Sequence, residues 1–189
     1  MGKAIGINLK KNPALGEAKS KFFGSPLLPQ DMIDTFLETL DDSTLFLCQI
    51  DLKDTASLDR GNKLPHEGTV YVFLDTASGK YNLKPIVIYA TGEPNVAIDS
   101  FNEGVPGFES YVEPLEMSFV EVEEDADCTR LLGVPSDWNY AEPAPELFLQ
   151  LDPYDETLNF LSELDGFIYL FFGEGEQRFA GMTIKEEYA

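Results

Sequence analysis

Cysteine, histidine and positive charge are all scarce in this chain, and each scarcity removes a class of function. Two cysteines stand among 189 residues, Cys48 in an apolar run and Cys128 in an acidic one. They form neither a metal-ligand spacing nor a disulfide framework, so free thiols in a reducing, cytoplasmic setting are expected. His66 is the single histidine, placed between Pro65 and Glu67 just ahead of an apolar run. A nucleophile with a separately oriented imidazole is hard to assemble from one histidine, and neither a Gly-x-Ser-x-Gly elbow nor a phosphate-cradling glycine loop is present. The expectation is no catalytic residue, no metal and no cofactor. Lys and Arg number 13 against 34 Asp and Glu, a net charge of −21. A field of that sign repels nucleic-acid phosphates and anionic lipid surfaces and attracts basic proteins. Apolar runs never approach the length of a membrane span. The N-terminus has lysines but no apolar h-region, and Gly6 stands where a myristoylation motif wants Ser or Thr. The expected partner is therefore a protein, basic in charge, with no nucleic acid and no membrane. A monomer is the default. The plainer reading of the charge is solubility alone.

What the chain does contain is the same message twice. Phe23-Gly24-Ser25-Pro26, Phe46 to Asp51 and Gly68 to Phe73 recur in order as Leu132-Gly133-Val134-Pro135, Leu147 to Asp152 and Gly166 to Phe171. Three matched blocks in one order mark an internal duplication, in which each copy supplies apolar strands that the other helps to bury. The repeated positions are Gly24, Pro26, Gln49, Asp51 and Gly68 in the first copy, and Gly133, Pro135, Gln150, Asp152 and Gly166 in the second.

The pattern predicts an α+β fold, mainly antiparallel sheet, in which a few packed helices accompany the duplicated unit. Residues 1–21 read as a loosely attached N-terminal arm with one helical turn from Pro13 to Lys19. Residues 22–189 form one domain: repeat 1 over 22–91, a connecting segment over 92–129 and repeat 2 over 130–189. In repeat 1, Met32, Ile33, Phe36, Leu37 and Leu40 have helical spacing, and Leu45 to Asp51, Thr69 to Asp75 and Pro85 to Ala90 read as strands. Repeat 2 is expected to follow with strands at Glu146 to Asp152, Phe167 to Gly173 and Arg178 to Ile184, and a helix at Asp155 to Leu164. A strand from Tyr111 to Glu123 changes register between Phe119 and Val120, which suggests a bulge or burial of both faces.

Lys21 to Pro29, Phe46 to Leu52, Leu64 to Phe73, Leu131-Leu132-Gly133 with Asp137-Trp138, Leu149 to Asp152 and Asp165 to Phe172 together resemble the YwqG family of bacterial proteins over roughly residues 20–180. The likeness breaks after the Gly-x-Pro, where the helix of Asp31 to Leu40 replaces the family's Trp-Pro and short turn. The resemblance implies a β-rich duplicated fold and a role in bacterial toxin and immunity systems. It brings no catalytic residue.

Strand spacing puts Gln49 beside Asp51 and Gln150 beside Asp152, with Leu47 and Phe148 sharing those faces. Buried amides there should bond the backbone of adjacent loops. The partner-binding face is expected at Glu121, Glu123, Glu124, Asp125 and Asp127, with Trp138 as a nearby aromatic anchor. The other reading of Trp138 is a ring folded over the sheet edge. These features point to a non-enzymatic acidic binding module, an immunity-type protein that occludes a toxin. The alternatives are a small-ligand binder or enzyme using the cleft between the repeats, through Gln49, Gln150 and a carboxylate, and a regulatory or scaffolding domain.

Overall fold

The computed structural model describes residues 2–11, 19–138, 141–162 and 166–186. Among the described residues twelve strands are formed: β1 (Lys3–Lys11), β2 (Lys21–Phe22), β3 (Leu27–Pro29), β4 (Thr44–Asp51), β5 (Thr69–Asp75), β6 (Lys84–Ala90), β7 (Pro94–Ala97), β8 (Leu115–Glu123), β9 (Arg130–Leu131), β10 (Leu147–Leu151), β11 (Ile168–Phe171) and β12 (Thr183–Glu186). Ten of them make one antiparallel sheet in the order β12-β11-β10-β9-β1-β8-β2-β4-β5-β6, while β3 and β7 pair separately. The sheet curls until its edge strands β6 and β12 approach each other, giving a nearly closed barrel. Tyr89 of β6 stacks on Phe179 across that gap at 5.2 Å, and the Arg178 guanidinium donates to the Lys63 carbonyl at 3.2 Å.

The expected α+β class with a few packed helices is wrong. Among the described residues there is one α-helix, α1 (Ile33–Thr39), entered through a 3₁₀ turn at Gln30–Met32. In place of a helix after Asp155, the described residues form turns. The Asp155 carboxylate accepts from the amides of Thr157 and Leu158, and then Asn159 and Leu161 adopt left-handed φ values of 45° and 51°. Helical propagation cannot pass such residues; Leu164 lies outside the described residues, as do residues 13–18 of the turn expected from Pro13 to Lys19.

Nor are residues 2–11 a loose arm. β1 lies at the middle of the sheet, paired with β8 from Lys3↔Glu123 to Lys11↔Leu115 and with β9 through Ile5↔Leu131 and Gly6↔Arg130. Its apolar core is Ala4, Ile5 and Ile7, all buried. That β1–β8 register runs without interruption, so the bulge expected near Phe119 is absent. The bulges fall instead at Leu47 in β4 and Phe148 in β10. Each extra residue turns its side chain into the barrel, so Leu47 and Phe148 join the inner core and do not share the outer face of Gln49 and Gln150.

The duplication is visible as matched registers. Cys48 pairs with Val72 and Gln49 with Tyr71 in the first unit, as Leu149 pairs with Leu170 and Gln150 with Tyr169 in the second. Strand β1 pairs with β9 of the second unit while β8 pairs with β2 of the first, so the units exchange their leading strands about the centre of the β1–β8 ladder. Inside the barrel, Ile5, Phe22, Ile50, Val72, Leu131, Leu149 and Leu170 belong to one core. Outside it, the two units differ. In the first, Phe36 of α1 packs edge-on against Tyr71 and Phe73. In the second, Trp138 takes that place against Tyr169 and Phe171.

Candidate functional site

Each unit turns a corner after its two-residue strand, and this corner positions the acidic segment. Phe23-Gly24 and Leu132-Gly133 both adopt left-handed backbone, with φ of 55° and 72° in the first and 63° and 88° in the second. Glycine is required at the second position; a Cβ on Gly133 would stand 2.3 Å from the Glu124 carbonyl oxygen. The buried glutamines close the corners. Gln49 accepts from the Leu27 amide at 2.8 Å and donates to the Lys19 carbonyl at 2.9 Å. Gln150 accepts from the Ser136 amide at 2.9 Å and donates to the Cys128 carbonyl at 3.1 Å. The tyrosine beside each glutamine repeats the pattern, with Tyr71 donating to the Leu27 carbonyl and Tyr169 to that of Ser136.

One substitution between the units matters for the site. The buried cation next to the glutamine is Lys21 in the first unit and Arg130 in the second. The Lys21 amine makes no hydrogen bond or ion pair among the described residues, and burial pushes it below the usual range. Arg130 instead donates to the carbonyls of Ala126, Leu132 and Val134 and to Gln150. Its guanidinium thus ties the turn 124–127 to the corner 132–134, a link reinforced by the Val134 amide donating to the Glu124 carbonyl at 2.8 Å.

The acidic residues picked out from the sequence are divided by this geometry. Glu121 and Glu123 lie at the end of β8 and face cations, Glu121 with Arg60 at 2.8 Å and Glu123 with Lys3. Glu124 packs over Gly2. Asp125 and Asp127 are exposed. Trp138 is no projecting anchor: it lies half-buried on Tyr169 and Phe171, donates to the Glu142 carbonyl at 3.0 Å, and carries the Lys185 amine 4.7 Å from its ring centre. The tertiary fold brings Asp127 to Asp152 and Asp155. Partial burial, with Asp155 and Asp127 adding repulsion, holds the Asp152 carboxyl above the usual range, although its Oδ1 accepts from the Tyr154 amide. The neutralising roles of Lys3 and Arg60 were not legible in sequence, because each cation is far along the chain from its carboxylate.

The remaining chemistry-bearing residues are held apart. His66 Nε2 lies 3.5 Å from Asp59 Oδ2, which already accepts from the Leu64 amide at 2.7 Å. Burial pushes the Cys48 thiol far up and the Cys128 thiol up as well, so neither is an activated thiolate. Among the described residues, no group of three or more His, Cys, Asp or Glu is arranged to hold a metal ion, and no helix is long and apolar enough to cross a membrane. Between the repeats lies a pocket of about 470 Å³ where Lys3, Arg60 and Lys63 meet the Leu132-Gly133-Val134 corner. Gln49 and Gln150 do not line it; both are fully buried with their amides committed to backbone. Comparison with family models, with curated proteins and with solved structures returns no match.

Proposed function

We propose that this chain is a non-enzymatic cytoplasmic module that binds a basic protein, its specific form being the toxin-occluding immunity role that the YwqG resemblance implies. The observation that carries the reading is exposed negative charge on a turn that the buried Arg130 guanidinium holds in place. Asp125 and Asp127 are exposed, Asp152 is held protonation-prone by burial and by its neighbours Asp155 and Asp127, and Arg130 fixes the turn that presents them. Cationic groups of a partner would relieve that repulsion, and the net charge of −21 steers such a partner inward.

The test is binding to a candidate basic partner, such as the product of a neighbouring gene, in graded salt. Association should slow as ionic strength passes about 0.15 M, where charges more than about 8 Å apart are largely screened. Reversing Asp125 and Asp127 together to Lys should lower the association rate while changing stability by no more than about 0.5 kcal/mol. A complex indifferent to both salt and these reversals would sink the proposal.

A further inference from the structure

The first unit carries two segments that build a groove outside the duplicated frame. One wall is α1 with the turn that follows it; the other is the loop 98–105. Between them lies a groove of about 570 Å³ whose apolar lining includes Leu37, Leu40, Ile98 and Phe101. Helix α1 buries Phe36 completely but leaves Leu37 58% exposed at the groove mouth. The opposite wall is held firmly. Asn102, 2% exposed, accepts from the Phe46 amide at 2.8 Å and donates to the Phe46 carbonyl at 2.9 Å and the Tyr111 carbonyl at 2.8 Å. These bonds fasten the loop to β4 beside its bulge, so the groove is formed before anything enters it.

Its charge has one sign. Asp41 and Asp42 line the groove, and among the described residues no Lys, Arg or His does. The Asp41 carboxyl is held below the usual carboxylate range by the Ser43 hydroxyl and amide, with Thr44 adding a third bond. Asp34, Glu38, Asp99 and Glu103 stand exposed on the same two segments. Glu121, Glu123 and Glu146 elsewhere on the molecule each face a Lys or Arg, whereas Asp41 answers only to neutral hydroxyls and an amide. An apolar floor with an all-acidic rim complements a segment with apolar side chains on one side and cations on the other.

We infer that this groove receives a basic amphipathic segment of a protein partner, whose apolar side chain packs beside Leu37, Leu40 and Phe101 while its Lys or Arg residues meet Asp41 and Asp42. The inference rests on the reading above only in that the partner is a basic protein; its residues are separate from the turn 124–127, so the two can fail separately.

The probe is a fluorescently labelled synthetic peptide of Leu and Lys in helical amphipathic order, titrated onto the full chain at physiological salt. An isomer with the same residues scrambled, and a Leu/Glu peptide of the same pattern, serve as comparisons. The amphipathic Leu/Lys peptide should bind tightest, and Leu37→Glu should weaken it about tenfold or more, as expected for loss of an anchor contact. Asp42→Lys should weaken it as well, and the paired Asp125→Lys and Asp127→Lys reversal should leave it within about twofold, since well-separated sites act independently. Equal binding of the scrambled peptide, an unchanged affinity in Leu37→Glu, or no binding would overturn the groove. Loss of binding only in the Asp125 and Asp127 reversal would overturn it too while sparing the acidic-turn reading. A dimer of the free chain that Leu37→Glu dissolves would overturn it in favour of a second copy as the occupant.

Discussion

The glutamines at the two corners show how much one side chain can decide. Gln49 and Gln150 are fully buried, and each bonds an amide and a carbonyl of loop backbone at its corner. Replacing either by Leu strands a buried amide hydrogen and a carbonyl, so each variant should lose roughly 1 to 3 kcal/mol, read from the denaturation midpoint. An unchanged midpoint in both would mean water replaces the amide. Asp152 makes the opposite prediction. Its carboxyl titrates above the unfolded value, so the ionised form lowers native stability, a cost absent below the unfolded pKa and fully present once pH has risen through the folded pKa. Asp152→Asn keeps an oxygen for the Tyr154 amide and removes the charge. It should melt higher than the parent at pH 7, and the difference should vanish as pH falls below about 4.

At the level of elements, the informative strand is β1. Its lysines at Lys3, Lys10 and Lys11 give it the composition of a surface arm, yet Ile5 is 0% exposed and paired on both sides. Ile5→Ala should cost about 2 to 5 kcal/mol, the range for a truncated core residue. A loss under about 0.5 kcal/mol, typical of a surface position, would restore the arm reading. The central place of β1 is hidden from local composition for a physical reason: its pairing partners, β8 and β9, begin more than a hundred residues later in the chain. α1 was legible because its helical spacing is local, whereas the turns after Asp155 were misread as helix because Leu158 and Leu161 have the right spacing and the left-handed residues betray themselves only in φ.

For the whole molecule, the exchange of leading strands makes the two units interdependent. A cut after Glu109 leaves β1 without its sheet neighbours β8 and β9 in one fragment and β8 without β1 and β2 in the other. Neither fragment alone should melt cooperatively, and mixing them should restore a cooperative transition. Independent folding of either piece would contradict the shared barrel. The charge acts at the same scale. With −21 spread over one barrel, self-repulsion opposes compaction, so the melting temperature should rise between low salt and about 0.15 M, where the screening length falls to about 8 Å.

By itself the sequence determined the strand-rich units, their duplication and the sign of the surface field. Those properties follow from alternation of apolar residues, repeated blocks and summed charge, and all are either local or additive along the chain. Only the tertiary structure decided that β1 is central, that the described residues hold a single short α-helix, that Arg60 and Lys3 neutralise Glu121 and Glu123, and that Asp127 meets Asp152 and Asp155. It likewise decided that α1 and the loop 98–105 enclose an acidic-rimmed groove. These outcomes depend on which distant strands share hydrogen bonds, and that choice is made by burying both apolar faces of the barrel at once, a condition no single window of sequence contains.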